Sequence, residues 1–284
     1  MSWIIFDTAI RRQSYAKTQE LKLAEAIAKN DLETASQLLK RGVNPNVRIV
    51  GQASEPLIFL VFEKHWFTLP IAKIGDRPKS LYRIVAKEEC LHLLLKFGAD
   101  PNVKNSLGQT ILELAILWCL PETVKLLLMN GADPNIRSQK GLTPLMKATI
   151  FGIQDARPMQ DKLKIMIYLL DSGAEIDAQT PEGKTALMYA VGNARIEVVE
   201  LLVSSGASLD ITDNQGNQAR DVVSQGINSQ SRTYLNKILS QPQLNVIKYK
   251  YQQFIPEGDR LLARIINRRN GDDDCFSDDI PRKF

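Results

Sequence analysis

Apolar residues along this chain recur in short groups that share one helix face, and each group ends at a glycine. In ETVKLLLMNGA, Glu122 to Ala132, the residues Val124, Leu127 and Leu128 fall on one side of a helix. Gly131 stops that helix, because a left-handed residue there costs glycine little and other residues about 1–2 kcal/mol. The same ending returns as KRGVNPNVR, KFGADPNVKN, DSGAEIDAQT and SSGASLDITD. A second helix precedes each of these. In GLTPLMKA, Thr143 is a suitable N-cap and Pro144 suits the first helical position, where its missing N–H would have no intrahelical partner. Thr110 and Glu113 can form a reciprocal capping box, and DPN after the glycine predicts a turn. Each unit therefore reads as turn, helix, short link, helix and glycine stop.

The units keep a register. The closing glycines are Gly42, Gly98, Gly131, Gly173 and Gly206, at steps of 56, 33, 42 and 33 residues. An upstream glycine at Gly108, Gly141, Gly183 and Gly216 keeps steps of 33, 42 and 33. A period of 33 signals stacked supersecondary units, and the longer steps carry insertions of 23 and 9 residues. One short helix pair cannot bury its apolar face alone, so neighbours must stack.

These residues resemble ankyrin repeats. The resemblance rests on GLTPLMKA with MNGADPN, GKTALMYA with IEVVELLVSSGA, and GQTILELA with ETVKLLLMNGA. It spans roughly residues 20–240 as five clear repeats and a degenerate sixth, GNQARDVVSQGIN, which lacks a closing glycine. It implies an all-α fold: a solenoid of stacked helix-turn-helix units with short turn or β-hairpin fingers. It also implies binding of another protein on a concave face formed by the turn tips and first helices. The family's usual histidine after TPL is replaced by Glu113, Met146 and Met188. This removes a hydrogen bond between neighbouring turns and is expected to weaken local rigidity. The organisation read from the chain is an N-terminal extension or cap over residues 1–20 and a repeat domain over 21–241. Insertions fall near 66–86 and 153–162, between the first and second helices of their repeats. A C-terminal extension covers 242–284, with a helix near 259–270 and an acidic tail.

Composition narrows the function. A formal charge of +4 gives no strong prior for nucleic acid or a membrane surface. Cys90, Cys119 and Cys275 are odd in number and widely spaced, which argues for reduced thiols and a cytoplasmic location. The N-terminus MSWIIFDTAIRR does not read as a signal peptide, and no apolar run is long enough to span a bilayer. His65 and His92 stand apart from cysteine or carboxylate clusters, Cys119 lies in an apolar stretch read as helix, and no phosphate-binding glycine motif occurs. GDDDCFSDD lacks calcium-loop spacing. No metal, cofactor or catalytic residue is expected.

Three features remain as candidate binding surfaces. Leu117–Trp118 and Ile150–Phe151 occupy equivalent places near the ends of adjacent first helices, with Phe62 at a comparable place one repeat earlier. One residue of each pair can be core; otherwise Trp118 and Phe151 line a partner pocket, and Trp118→Ala would abolish capture while the fold survives. Turn tips vary while the framework holds: Gln139, Lys140 and Leu142 in one repeat, Glu182 and Lys184 in the next. Beyond Pro242, Arg260, Arg264, Arg268 and Arg269 align on a basic helix face. The reading is a non-catalytic interaction module, an adaptor, inhibitor or assembly factor, monomeric in isolation. Its partner is another protein, and nucleic acid is not the expected partner. The alternative is a nucleic-acid-associated regulatory protein using the arginine helix, with the salt dependence such binding shows.

Overall fold

A computed structural model describes residues 17–49, 55–62, 87–150, 159–222 and 229–240. These fall into two compact units, one ending at Ala174 and the other beginning at Glu175. In the first unit, helix α1 covers residues 17–29 and α2 covers Leu32–Lys40. Residues 17–20, assigned from sequence to the extension, already belong to α1. A two-stranded antiparallel hairpin follows, β1 (Arg48–Ile49) against β2 (Glu55–Pro56), with Arg48 opposite Pro56. It leads into a 3-10 helix, Leu57–Val61, and then α3, Glu88–Lys96. Next come α4 (Ile111–Leu117) with α5 (Pro121–Met129), and α6 (Pro144–Ile150) with α7 (Met159–Asp171). The second unit holds α8 (Ala186–Gly192) with α9 (Ile196–Ser204), then a 3-10 helix, Ala219–Val222, and α10, Ser229–Ser240. Repeat 2 and the last repeat thus open with a 3-10 turn where an α-helix was expected.

The helix boundaries follow the local chemistry. Thr110 caps α4, its hydroxyl accepting from Glu113 N at 3.2 Å while the Glu113 carboxylate returns to Thr110 N at 3.3 Å. Thr143 and Thr185 cap α6 and α8 in the same way, from Met146 N and Met188 N. The closing glycines take φ between 85° and 99° and the upstream ones between 71° and 82°, so both glycine series mark left-handed backbone. A third left-handed series carries no glycine. Asn30, Cys119 and Ala194 link first to second helices at φ of 60°, 54° and 55°. Cys119 is therefore a buried link residue and not part of a helix, correcting the sequence reading. The nine-residue surplus of repeat 4 is partly used in lengthening α7 to 13 residues, against 9 in α5 and α9. The longer insertion, 66–86, lies outside the described residues.

Apolar packing holds each unit together. Leu23, Ile27, Leu57, Phe59, Leu91, Leu94, Ile111, Leu114, Val124 and Leu127 are fully buried in the first unit; Ala190, Val191, Val199, Leu202 and Leu235 are in the second. Burial of each large aliphatic side chain contributes about 1.5–3 kcal/mol.

A polar ladder joins successive turns. Asn46 Nδ2 donates to Gly98 O at 2.8 Å, while its Oδ1 accepts from Asp100 N at 2.7 Å. Asn102 repeats this with Gly131 O (2.9 Å) and Asp133 N (2.8 Å), and Asn135 donates to Gly173 O at 3.0 Å. In the second unit the register holds Asp177, whose carboxylate accepts from Ser208 N at 2.9 Å and, unlike the asparagine amide, has no N–H to donate. The DPN sequences support this geometry: Asp100 and Asp133 accept from Asn102 N and Asn135 N, both at 2.8 Å.

Candidate protein-binding surface

The finger turns are built on a residue three before each upstream glycine. Asn105, Ser138, Thr180 and Asp213 occupy that place, and each carbonyl accepts from the glycine N–H at 2.8 to 3.0 Å. Their side chains tighten the loop further. Asn105 Oδ1 accepts from Leu107 N and Gln109 N, and Asp213 Oδ1 accepts from Gln215 N and Asn217 N, both at 2.9 Å. Donation from the Asn217 N–H holds the Asp213 carboxyl below its usual range. The Thr180 hydroxyl does the same for Glu182. Asn214 Nδ2 donates to Pro181 O at 2.9 Å, locking two neighbouring fingers of the second unit together.

With the loop backbone fixed, the tip side chains project outward. Gln139, Lys140 and Glu182 are exposed, and Leu142 and Lys184 are half-buried. Leu107 occupies the tip one repeat before Lys140 and is 51% exposed. It was missed in the sequence reading although the register that marks Lys140 also marks Leu107.

The aromatic candidates fare differently. Phe62 and Trp118 are 2% and 5% exposed, packed edge to face with ring centroids 4.6 Å apart. Their place is the seam between adjacent repeats, so Trp118 is the core member of its pair, the first of the two alternatives left open by the sequence, and Trp118→Ala is expected to damage the fold. Leu117 is the exposed member of its pair, at 37%, because α4 ends there and turns Trp118 inward. Ile150 is half-buried at the end of α6. Phe151, Arg260, Arg264, Arg268 and Arg269 lie outside the described residues.

A buried ion pair lies behind this surface. Lys147 Nζ on α6 meets Glu113 Oε1 on α4 at 2.7 Å, with the two side chains 11% and 3% exposed. Glu113 stands where the resemblance leads one to expect histidine. It caps its own helix and bonds to the next repeat, so the connection expected to be missing is replaced by an ionic one. Buried Glu55 similarly accepts from the N–H and hydroxyl of Ser106, tying the hairpin to the following finger.

Among the described residues no group of three or more His, Cys, Asp or Glu could hold a metal, and no helix is long and apolar enough to cross a membrane. His92 is exposed on α3, and His65 lies outside the described residues. Cys90 and Cys119 carry buried thiols outside any disulfide. Burial pushes the Cys90 thiol up, and it donates to Asn30 Oδ1 at 3.2 Å.

Comparison with protein families matches a model described as ankyrin repeats (3 copies), over residues 73–138 and 119–213. The stacked helix pairs, glycine registers and finger turns define a repeat-built interaction module. The chain belongs to the ankyrin-repeat family.

Proposed function

We propose that this protein is a non-catalytic adaptor, inhibitor or assembly factor that captures a partner protein on the face made by its finger turns and first helices. The carrying observation is the division of labour within each finger. The residues that fix the loop repeat their role from unit to unit, while the tips Leu107, Gln139, Lys140 and Glu182 differ in chemistry and stand exposed. A backbone fixed by its own hydrogen bonds loses little freedom on binding, which favours affinity. Leu107 and Leu117, 51% and 37% exposed, offer this face apolar area that a partner can bury. The buried reduced thiols fit a cytoplasmic setting, and the polar tips fit a monomer awaiting its partner.

Affinity purification from the native host, read by mass spectrometry, tests the reading. Leu107→Asp with Leu117→Asp should abolish recovery of the partner. Met129→Asp, on the opposite helix of its repeat and 75% exposed, should leave recovery unchanged. Equal recovery with all three baits would sink the proposal.

A further inference from the structure

The second helices of the first unit carry a groove of their own. Its volume is about 630 Å³, and residues of α2, α3 and α5 line it. Leu32 and Leu126 give it half-buried apolar surface, and Met129 stands 75% exposed beside them. Glu88, Glu89 and Glu122 line it as well, all three exposed. Glu88 accepts from the Thr123 hydroxyl at 3.1 Å, which fixes that carboxylate across the seam between α3 and α5. Among the described residues no ion pair takes up any of these glutamates. Lys125 also lines the groove, but its ammonium is engaged over the Tyr168 ring, 5.3 Å from the centroid. Local chemistry accounts for part of this. Glu89 and Glu122 each stand nine residues before a closing glycine, in the first turn of a helix, where an acid complements the dipole. That does not account for Glu88, which doubles the charge, or for Met129. In α2 and α3 the place two residues before the closing glycine holds Lys40 and Lys96, whereas in α5 it holds Met129, an exposed apolar side chain where its neighbours are charged. Lys164 of α7, in register with Glu122, ends the acidic row.

We propose that this groove docks a basic segment of a second partner protein, its cationic side chains on Glu88, Glu89 and Glu122 and an aliphatic side chain against Leu126 and Met129. The whole chain carries a formal charge of +4, so nothing draws a basic segment to it in general, and the attraction is local to these carboxylates. The carboxylates do not converge: among the described residues no group of three or more His, Cys, Asp or Glu could hold a metal ion. Charges spread along a groove suit a chain of spaced cations rather than a single ion. One repeat separates Glu89 from Glu122, and stacked helices lie about 10 Å apart. An extended chain rises ~3.3 Å per residue, so cations three residues apart reach both. Arginine fits best, because its planar fork matches a carboxylate. Nucleic acid and anionic lipid are repelled by the same groups. With another protein on the finger face, the two surfaces make the molecule a bridge. That role goes beyond the finger-face reading and does not depend on it.

The test is fluorescence anisotropy on the full chain with three labelled peptides. One has arginine at every third position with leucine and serine between; the second replaces its leucines by serine; the third replaces its arginines by glutamate. The first should bind best, and its affinity should fall as salt rises. Glu89→Gln with Glu122→Gln should weaken it about fivefold and Met129→Ser about threefold, whereas Glu25→Gln with Glu182→Gln, the same charge change elsewhere, should alter it less than about twofold. Circular dichroism melting confirms that each variant folds. No binding of the first peptide overturns the proposal, as does equal binding of the second or third, or equal weakening by the two glutamine pairs. A dimer in sedimentation that Met129→Ser dissolves would assign the groove to a second copy of the chain and overturn it likewise. The finger-face reading fails separately, if Leu107→Asp with Leu117→Asp still recovers its partner. That variant should leave peptide binding at the groove unchanged.

Discussion

At the residue scale, two glycines of one register have different reasons to be glycine. Gly216 has φ +82° and open space where a Cβ would stand, so its alanine variant meets only the left-handed penalty, about 1–2 kcal/mol. Gly183 has φ +81°, and its Cβ would lie 2.7 Å from Asn214 Oδ1 and 2.8 Å from Asn214 N. Backbone cannot swing aside as a flexible side chain can, so Gly183→Ala should cost about 3 kcal/mol or more. Urea unfolding of the two variants should rank them in that order. Asp213 gives a pH prediction from the same turn. Its folded carboxyl is held low by the Asn217 N–H. The resulting stabilisation is present above the ordinary aspartate value, about 4, and is lost as pH falls through the lowered one. Asn105 performs the same loop bonding without a charge. Asp213→Asn should therefore fold normally at neutral pH and lose less stability than the parent as pH falls below the ordinary aspartate value. Equal acid losses in parallel denaturation curves would refute the assignment.

At the element scale, helix positions were legible because caps and glycine stops are local chemistry. Thr110, Thr143 and Gly131 act where the sequence placed them. What escaped depends on groups that meet only after stacking. The sequence left open which of Leu117 and Trp118 is core, because Phe62, against which Trp118 packs, is 56 residues away in sequence. The left-handed links at Cys119 and Ala194 escaped because their residue types do not announce that conformation. The Glu113–Lys147 pair escaped for both reasons, and it yields a measurable coupling. Removing one partner leaves a buried charge without its counterpart, at about 3–5 kcal/mol. Lys147→Met should accordingly destabilise the first unit by about that amount. Glu113→Met with Lys147→Met should recover most of the loss, since Met146 and Met188 already fill the corresponding position in later repeats. A thermodynamic cycle in guanidinium chloride measures this, and simple additivity would show that the pair is uncoupled.

At the scale of the whole molecule, the repeat period made the stacking principle visible but not how the stack is finished. Ankyrin units bury apolar faces against neighbours, so the last must be covered by something that differs from a repeat. In the second unit α10 does this against α9. Leu235, Ile238 and Leu239 are buried at 0%, 1% and 5% exposure, while the remaining described side chains of the helix are exposed. Tyr234 strengthens the contact: its hydroxyl donates to buried Glu200 Oε1 at 2.6 Å, and that bond pushes the tyrosine hydroxyl above its usual range. The sequence reading placed a further helix near 259–270, which lies outside the described residues. The described residues show α10 covering α9 before the chain reaches them. If α10 is a cover, damage to it must appear in the element it protects. Leu235→Ala should destabilise the second unit by about 2–4 kcal/mol. Leu235→Lys, which places an unpaired charge at the same site, should cost more. Hydrogen exchange should then show faster exchange in α9, including Val199 and Leu202, as well as in α10. Loss of protection confined to α10 would mean that the helix merely leans on a face already stable without it.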